Sequence, residues 1–260
     1  MPPARALLYA ATLAVLVMAA RALMIGPPPL GAAVVALLAY VALVTVGVLV
    51  LSLRMFVDAI TRGPRDARGV ALTFDDGPDP VTTKAVLDAL DAAGVKGTFF
   101  VIGRKAEAHP DVVRDILRRG HAVGLHSYAH DRLFSLRSAR AVRADLERGI
   151  EAIAKITGVR PRLFRPPIGH TNPTIARVAD ELDLVVVGWS VSARDGTRRA
   201  RAPEVVARVA SQLTGGAIVL LHDAAERGDH APTAARTLPG IVVAARESRL
   251  DVVPLADWIV

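Results

Sequence analysis

Two adjacent aspartates, Asp75 and Asp76, close the apolar run "VALTF" and lead into "GPDP". Like charges side by side repel, and a buried strand before them would desolvate its end, although Asp and Gly-Pro are also ordinary turn residues. His126 and His130 stand four residues apart in "HSYAH"; on one turn of helix both imidazoles would face the same way and share a metal. By itself that spacing is weak in a chain with seven histidines. A carboxylate from the first strand would complete a two-histidine, one-aspartate set that leaves coordination positions open for water or substrate. Successive side chains diverge along a strand, so one aspartate serves as ligand and its neighbour is free as a general base. His222, at the end of "AIVLL", reads either as a satisfied buried histidine or as a proton donor to a leaving group. Arg165 reads either as an ordinary ion-pair partner or as the cation that orients a carboxylate base and holds it ionised.

These groups need a scaffold that brings distant segments to one rim. From Gly69 onward, short apolar runs alternate with longer segments of helical period, the pattern of a parallel sheet covered by helices. Seven strands are predicted, at "VALTF", "GTFFVI", "HAVGLH", "RLFR", "LVVVGW", "AIVLLH" and "DVVPL". Helices are predicted over 82–93, 110–119, 138–157, 172–182, 203–213 and 233–248, several ending at a glycine such as Gly94, Gly120 or Gly158. Seven β/α units in this length predict a small or incomplete (β/α) barrel, in which functional residues occupy the C-terminal strand ends. Five of the seven predicted ends carry chemically competent groups.

The chain has 260 residues, 52% of them hydrophobic, and a mean hydropathy of +0.37, high for a soluble protein. The excess is concentrated in the uncharged stretch Leu30 to Leu53, long enough to span a bilayer core of roughly 30 Å. The preceding segment, about residues 6–25, reads as a second spanning helix or as a signal-like segment; the break at "GPPP" favours a helical hairpin. Residues 1–56 are thus expected to anchor the chain in membrane lipid, 57–68 to link, and 69–260 to form the catalytic domain. Arg54, Arg62, Arg65 and Arg68 argue for a cytoplasmic domain by the positive-inside rule, which leaves the side of the membrane open. Without cysteine there is no disulfide framework and no thiolate chemistry. The net charge of +7 is carried mostly by arginine, with no aromatic-interleaved basic cluster, so no nucleic-acid partner is expected.

The residues in "TFDDGPDP", "HSYAH", "FRPPIG", "WSVSARDG" and "IVLLHD", in that order, closely resemble the polysaccharide deacetylases with a NodB-homology domain, carbohydrate esterase family 4. The resemblance covers roughly Gly69 to Ile259. It implies a distorted (β/α)7 barrel behind the membrane hairpin. It also implies a hydrolase that removes N-acetyl groups from N-acetylglucosamine-containing polysaccharide, peptidoglycan or a related glycan. Asp75 would be the base, His222 the acid and Arg165 the residue that positions Asp75. Asp76, His126 and His130 would bind one divalent metal ion, usually zinc in the family, with cobalt or nickel as alternatives. A backbone N–H donor is implied at Ile168, where the family often has tyrosine. Ser192 and Gly196 depart from the family's usual aspartate and tryptophan; either Asp195 takes over the tuning of His222, or His222 is left less basic. Trp189 is expected to pack at a strand end or to stack on sugar, and Trp258 to pack the last segment. His109, His121, His170 and His230 read as structural or exposed.

Two rivals share these features: a deacetylase or deformylase of a lipid-linked amino sugar at the membrane, and a non-catalytic glycan-binding barrel. A cytoplasmic-facing domain would favour the first. A non-haem iron oxygenase would use the same two histidines and carboxylate but needs neither the second aspartate nor the distant histidine.

Overall fold

The computed structural model describes residues 1–228 and 230–259. Two helices come first, α1 (Pro3–Ile25) and α2 (Leu30–Leu49), broken at Gly26–Pro29 because proline lacks the N–H a helix needs. Both are long and apolar enough to cross a membrane, and Gly47 is the one residue buried along them.

The rest alternates strand and helix: β1 (Gly69–Asp75), α3 (Thr82–Ala93), β2 (Thr98–Val101), α4 (Gly103–Ala108), α5 (Pro110–Arg118), β3 (Ala122–Leu125), α6 (Ala139–Thr157) and β4 (Leu163–Phe164). Then follow α7 (Pro173–Glu181), β5 (Val185–Val186), β6 (Val191–Ser192), α8 (Ala202–Ala210), β7 (Ile218–His222), α9 (Ala234–Glu247) and β8 (Asp251–Val252). The strands pair in parallel in the order β5-β4-β3-β2-β1-β7-β6, and β8 pairs with the start of β1. Flanked on both sides, β1 is buried along its whole length, which is why it reads as a continuous apolar run. Helices cover the outside by their periodic faces: Val142, Leu146, Ile150 and Ile153 line the buried stripe of α6, and each contributes about 1.5–3 kcal/mol by burial. Ser138 and Asn172 cap α6 and α7 by accepting from the N–H groups of Ala141 and Ile175.

The predicted strand "LVVVGW" and the motif after it behave differently from expectation. β5 and β6, the two edges of the sheet, are halves of one chain stretch. Val187 N–H still bonds Phe164 O beside β4, whereas Ser190 N–H already bonds Ile218 O beside β7. One bent segment therefore curls the sheet back on itself, giving the distorted barrel of the sequence reading with eight short strands among the described residues. Ile60 fills the seam, donating its N–H to Val186 O and accepting from Gly188 N–H. The stretch 57–68 is accordingly docked on the barrel: Val57 and Ala59 are buried, as are Leu51 and Met55 before them, and Arg62 bridges Ala217. The short helix α4, which the sequence reading passes over, opens at Gly103, where a Cβ would come within 2.8 Å of the Tyr128 ring.

Candidate active site

Parallel register brings the chemistry to one rim. Asp75 is paired across β1 and β7 with His222, Leu125 is paired with Phe164, and the next residues, His126 and Arg165, follow side by side.

Arg165 is fully buried, and each of its three guanidinium nitrogens finds an acceptor. Nη1 donates to Asp75 Oδ1 at 2.7 Å and to Thr73 Oγ1 at 2.9 Å, Nη2 donates to Gly188 O at 2.9 Å, and Nε donates to Val187 O at 3.3 Å. The Phe100 ring lies 4.1 Å from the guanidinium carbon. Burial pushes the Arg165 pKa down, opposed by the charge and hydrogen bond of Asp75. The break between β5 and β6 is what frees the carbonyls of Val187 and Gly188 for this guanidinium.

Asp76 has a left-handed backbone (φ 76°), which turns it out of the line of β1. "HSYAH" is not the helical turn expected from its spacing. Ser127 and His130 have φ of 59° and 51°, and the loop is pinned where Asp145 accepts from the N–H groups of Tyr128 and Ala129. The two imidazoles meet nonetheless, because Ser127 Oγ accepts from His130 N–H and folds the loop back. His126 Nδ1 donates to Arg165 O at 2.7 Å, which fixes the tautomer and leaves Nε2 as a lone-pair donor. His130 Nε2 lies 3.1 Å from that atom and 3.2 Å from Asp76 Oδ1.

One ligand atom from each of Asp76, His126 and His130 can thus be chosen so that all lie within 4.8 Å of one another. Burial pushes both histidines down to about 3, so they are neutral at pH 7, and raises Asp76 to about 7. Asp76 Oδ1 is buried without a hydrogen-bond partner. An orphaned carboxylate oxygen converging with two neutral imidazoles fits a divalent cation, whose charge would offset the desolvation of Asp76.

His222 is held by Asp195, which is fully buried: Oδ1 lies 2.9 Å from Nδ1 and Oδ2 accepts the His222 backbone N–H at 2.9 Å. Burial disfavours the imidazolium, but the hydrogen bond and charge of Asp195, with Asp76 and Asp75 behind it, push His222 up to about 9. Of the two positions raised by the sequence, Asp195 is the one in contact with His222, while Ser192 pairs with Leu220 in the sheet. Gly196 packs on the same ring, where a Cβ would come within 3.0 Å. His230, read from the sequence as structural or exposed, reaches Gly196 O at 2.8 Å through Nε2.

These residues open into a cleft of about 460 Å³, also lined by Ile168, Gly169, Trp189, Arg132, Arg194 and Glu226. Ile168 is left-handed (φ 50°), unusual for a β-branched residue and consistent with a backbone shaped for the cleft. Gly169 lies against Trp189, where a Cβ would be 2.5 Å from the indole.

Three supporting residues have no role in the sequence reading, although Asp223 is noted there at its strand end. Asp223, after His222, accepts from Gly77 N–H and Thr83 Oγ1 and so fixes the turn after Asp76. Lys105 donates to Asp76 O and Ala225 O, and Glu226 lies 3.5 Å from His130 Nδ1. Asp223 had a signal, as a charge at the end of an apolar strand; Lys105 on the polar helix α4 had none.

A curled parallel barrel with a buried Asp-His-His cluster at its strand ends, flanked by an arginine-held carboxylate and an aspartate-held histidine, defines the class of molecule. Residues 62–187 match the polysaccharide deacetylase family. A peptidoglycan-N-acetylglucosamine deacetylase of Bacillus cereus is 34% identical over 180 residues, 68% of this chain and 83% of that protein. The peptidoglycan-N-acetylglucosamine deacetylase PgdA of Listeria monocytogenes is 40% identical over 154 residues, 59% of this chain but 32% of PgdA, so this chain spans about a third of PgdA's length. The crystal structure of the Bc1960 peptidoglycan N-acetylglucosamine deacetylase superposes with a TM-score of 0.72 at 30% identity, over 76% of this chain and 91% of that one. The chain belongs to the polysaccharide deacetylase family.

Proposed function

We propose that this chain is a membrane-anchored, metal-dependent hydrolase that removes N-acetyl groups from N-acetylglucosamine-containing glycan, peptidoglycan or a related polysaccharide. The observation that carries the reading is the paired support at one strand end. Asp75 and His222 face each other across β1 and β7, one held by Arg165 and the other by Asp195, beside the Asp76–His126–His130 cluster.

Asp76, His126 and His130 would hold the ion, zinc by family habit, with cobalt or nickel also suited to a nitrogen and oxygen donor set. When bound, it supplies Lewis-acid polarisation of the acetyl carbonyl and of water. Asp75, oriented by the 2.7 Å hydrogen bond from Arg165, takes a proton from the attacking water. The water oxygen bonds to the carbonyl carbon, and the Ile168 N–H is the donor available to the developing oxyanion. As the C–N bond breaks, His222, kept protonated by Asp195, gives its proton to the nitrogen, and acetate and a free sugar amine leave. A glycan-binding barrel without catalysis would need neither buried support.

The membrane anchor rests on the length and apolar composition of α1 and α2. Arg5, at the start of α1, donates to Asp58 at 3.0 and 3.1 Å and to the carbonyls of Arg54 and Met55, so the start of the first helix is held against the segment that follows the second.

The test uses the full chain in detergent, because Leu51, Val57 and Ala59 are buried against the barrel. Metal is stripped with a chelator and restored, and acetate release is measured from N-acetylglucosamine oligomers and from peptidoglycan. Metal-dependent release is expected; absence of both bound metal and release would overturn the reading.

A further inference from the structure

The anchor ends at the lip of the cleft. α2 has 20 residues, about 30 Å at 1.5 Å per residue, which just matches a bilayer's hydrocarbon core. Val48, in its last turn, therefore lies at the hydrocarbon edge. Its carbonyl accepts the N–H of Thr171 at 3.1 Å. Thr171 follows Ile168 by three residues, a span of at most about 11 Å of chain, so the cleft lip lies within about 14 Å of the end of the helix. The polar headgroup layer is itself about 5–8 Å deep.

Apolar side chains are exposed on the loop beside this junction. Leu133 and Leu136 are 61% and 78% exposed, and Asn172 Nδ2 donates to Ser135 O at 2.6 Å, joining their loop to the one that bonds α2. Arg132, on the same loop, lines the cleft. No free stalk separates anchor from barrel: Leu51, Met55, Val57 and Ala59 are buried, and Arg5 clamps Asp58. The barrel thus sits directly against the end of α2.

We propose that the lip formed by Leu133 and Leu136 docks on the bilayer surface, and that the substrate is an N-acylated amino sugar presented there on a lipid carrier. The substrate half of this inference rests on the deacetylase reading above; the docking half does not.

The absence of cysteine makes a direct test simple. Leu133→Cys, Leu136→Cys and, as control at the opposite end of the barrel, Val159→Cys are labelled with bimane in the full chain and reconstituted into vesicles containing doxyl-labelled phospholipid. Quenching at 133 and 136 at least twofold above that at 159 is expected, and equal quenching at all three positions sinks the docking surface. In the same vesicles, kcat/KM for N-acetylglucosamine on a polyprenyl diphosphate should exceed that for a water-soluble N-acetylglucosamine oligomer at least tenfold. The double change Leu133→Ser, Leu136→Ser should erase that preference while the rate on the soluble oligomer is unchanged. Equal kcat/KM values in the unaltered chain overturn the substrate assignment. Selective quenching with acetate released from neither substrate overturns the deacetylase reading and supports the docking surface.

Discussion

Asp195 grips His222 at two points, the ring Nδ1 and the backbone N–H, each at 2.9 Å, although the two residues are 27 apart in the chain. The aspartate thereby sets both the orientation of the ring and its readiness to carry a proton.

Asp195→Asn removes the charge that, against the effect of burial, lifts His222 to about 9. A general acid works while protonated, so activity is present below its pKa and lost as pH rises through it. The alkaline limb of the kcat profile should move to lower pH, toward the ordinary histidine value of about 6.5, with a loss of roughly tenfold or more at neutral pH. An unmoved limb would show that the proton comes from another group.

Asp75 and Asp76 should separate cleanly on substitution. Asp75→Asn should keep bound metal while kcat falls by about 10²–10⁴. Asp76→Ala, His126→Ala and His130→Ala should each lower metal stoichiometry, read by elemental analysis of the purified full chain.

Arg165 is buried against four acceptors. Arg165→Met leaves the Asp75 carboxylate and two carbonyls without their donor, and thermal unfolding in detergent should show a loss of about 3–5 kcal/mol. A change under 1 kcal/mol would mean that the pair is not isolated from water.

Gly77→Ala places a Cβ 1.9 Å from Asp223 Oδ2. The turn after Asp76 must then shift, at a cost of about 1–3 kcal/mol, and metal affinity should fall with stability. Wild-type metal affinity in this variant would show that the turn does not position Asp76.

The β/α alternation was legible because burial on both faces of a parallel sheet writes itself as apolar runs, and glycine and asparagine mark helix ends locally. The break between Val187 and Ser190 was not legible: "LVVVGW" has the composition of one strand, and only competition between β4 and β7 for its backbone bonds divides it. The docking of 57–68 was hidden for the same reason, since Ile60 has a place only once the seam exists.

What the sequence determined by itself is which residue types arrive at which strand end: one aspartate closing β1 and a second just after it, two histidines after β3, arginine after β4 and histidine closing β7. Those are local facts, carried by pattern and spacing. The tertiary structure decided which groups touch. It chose Asp195 as the partner of His222, turned Asp76 aside through a left-handed backbone, let two imidazoles converge without a helix, and set the cleft lip at the end of α2. Each of these depends on distances between segments remote in sequence, which packing and register fix and no local pattern encodes.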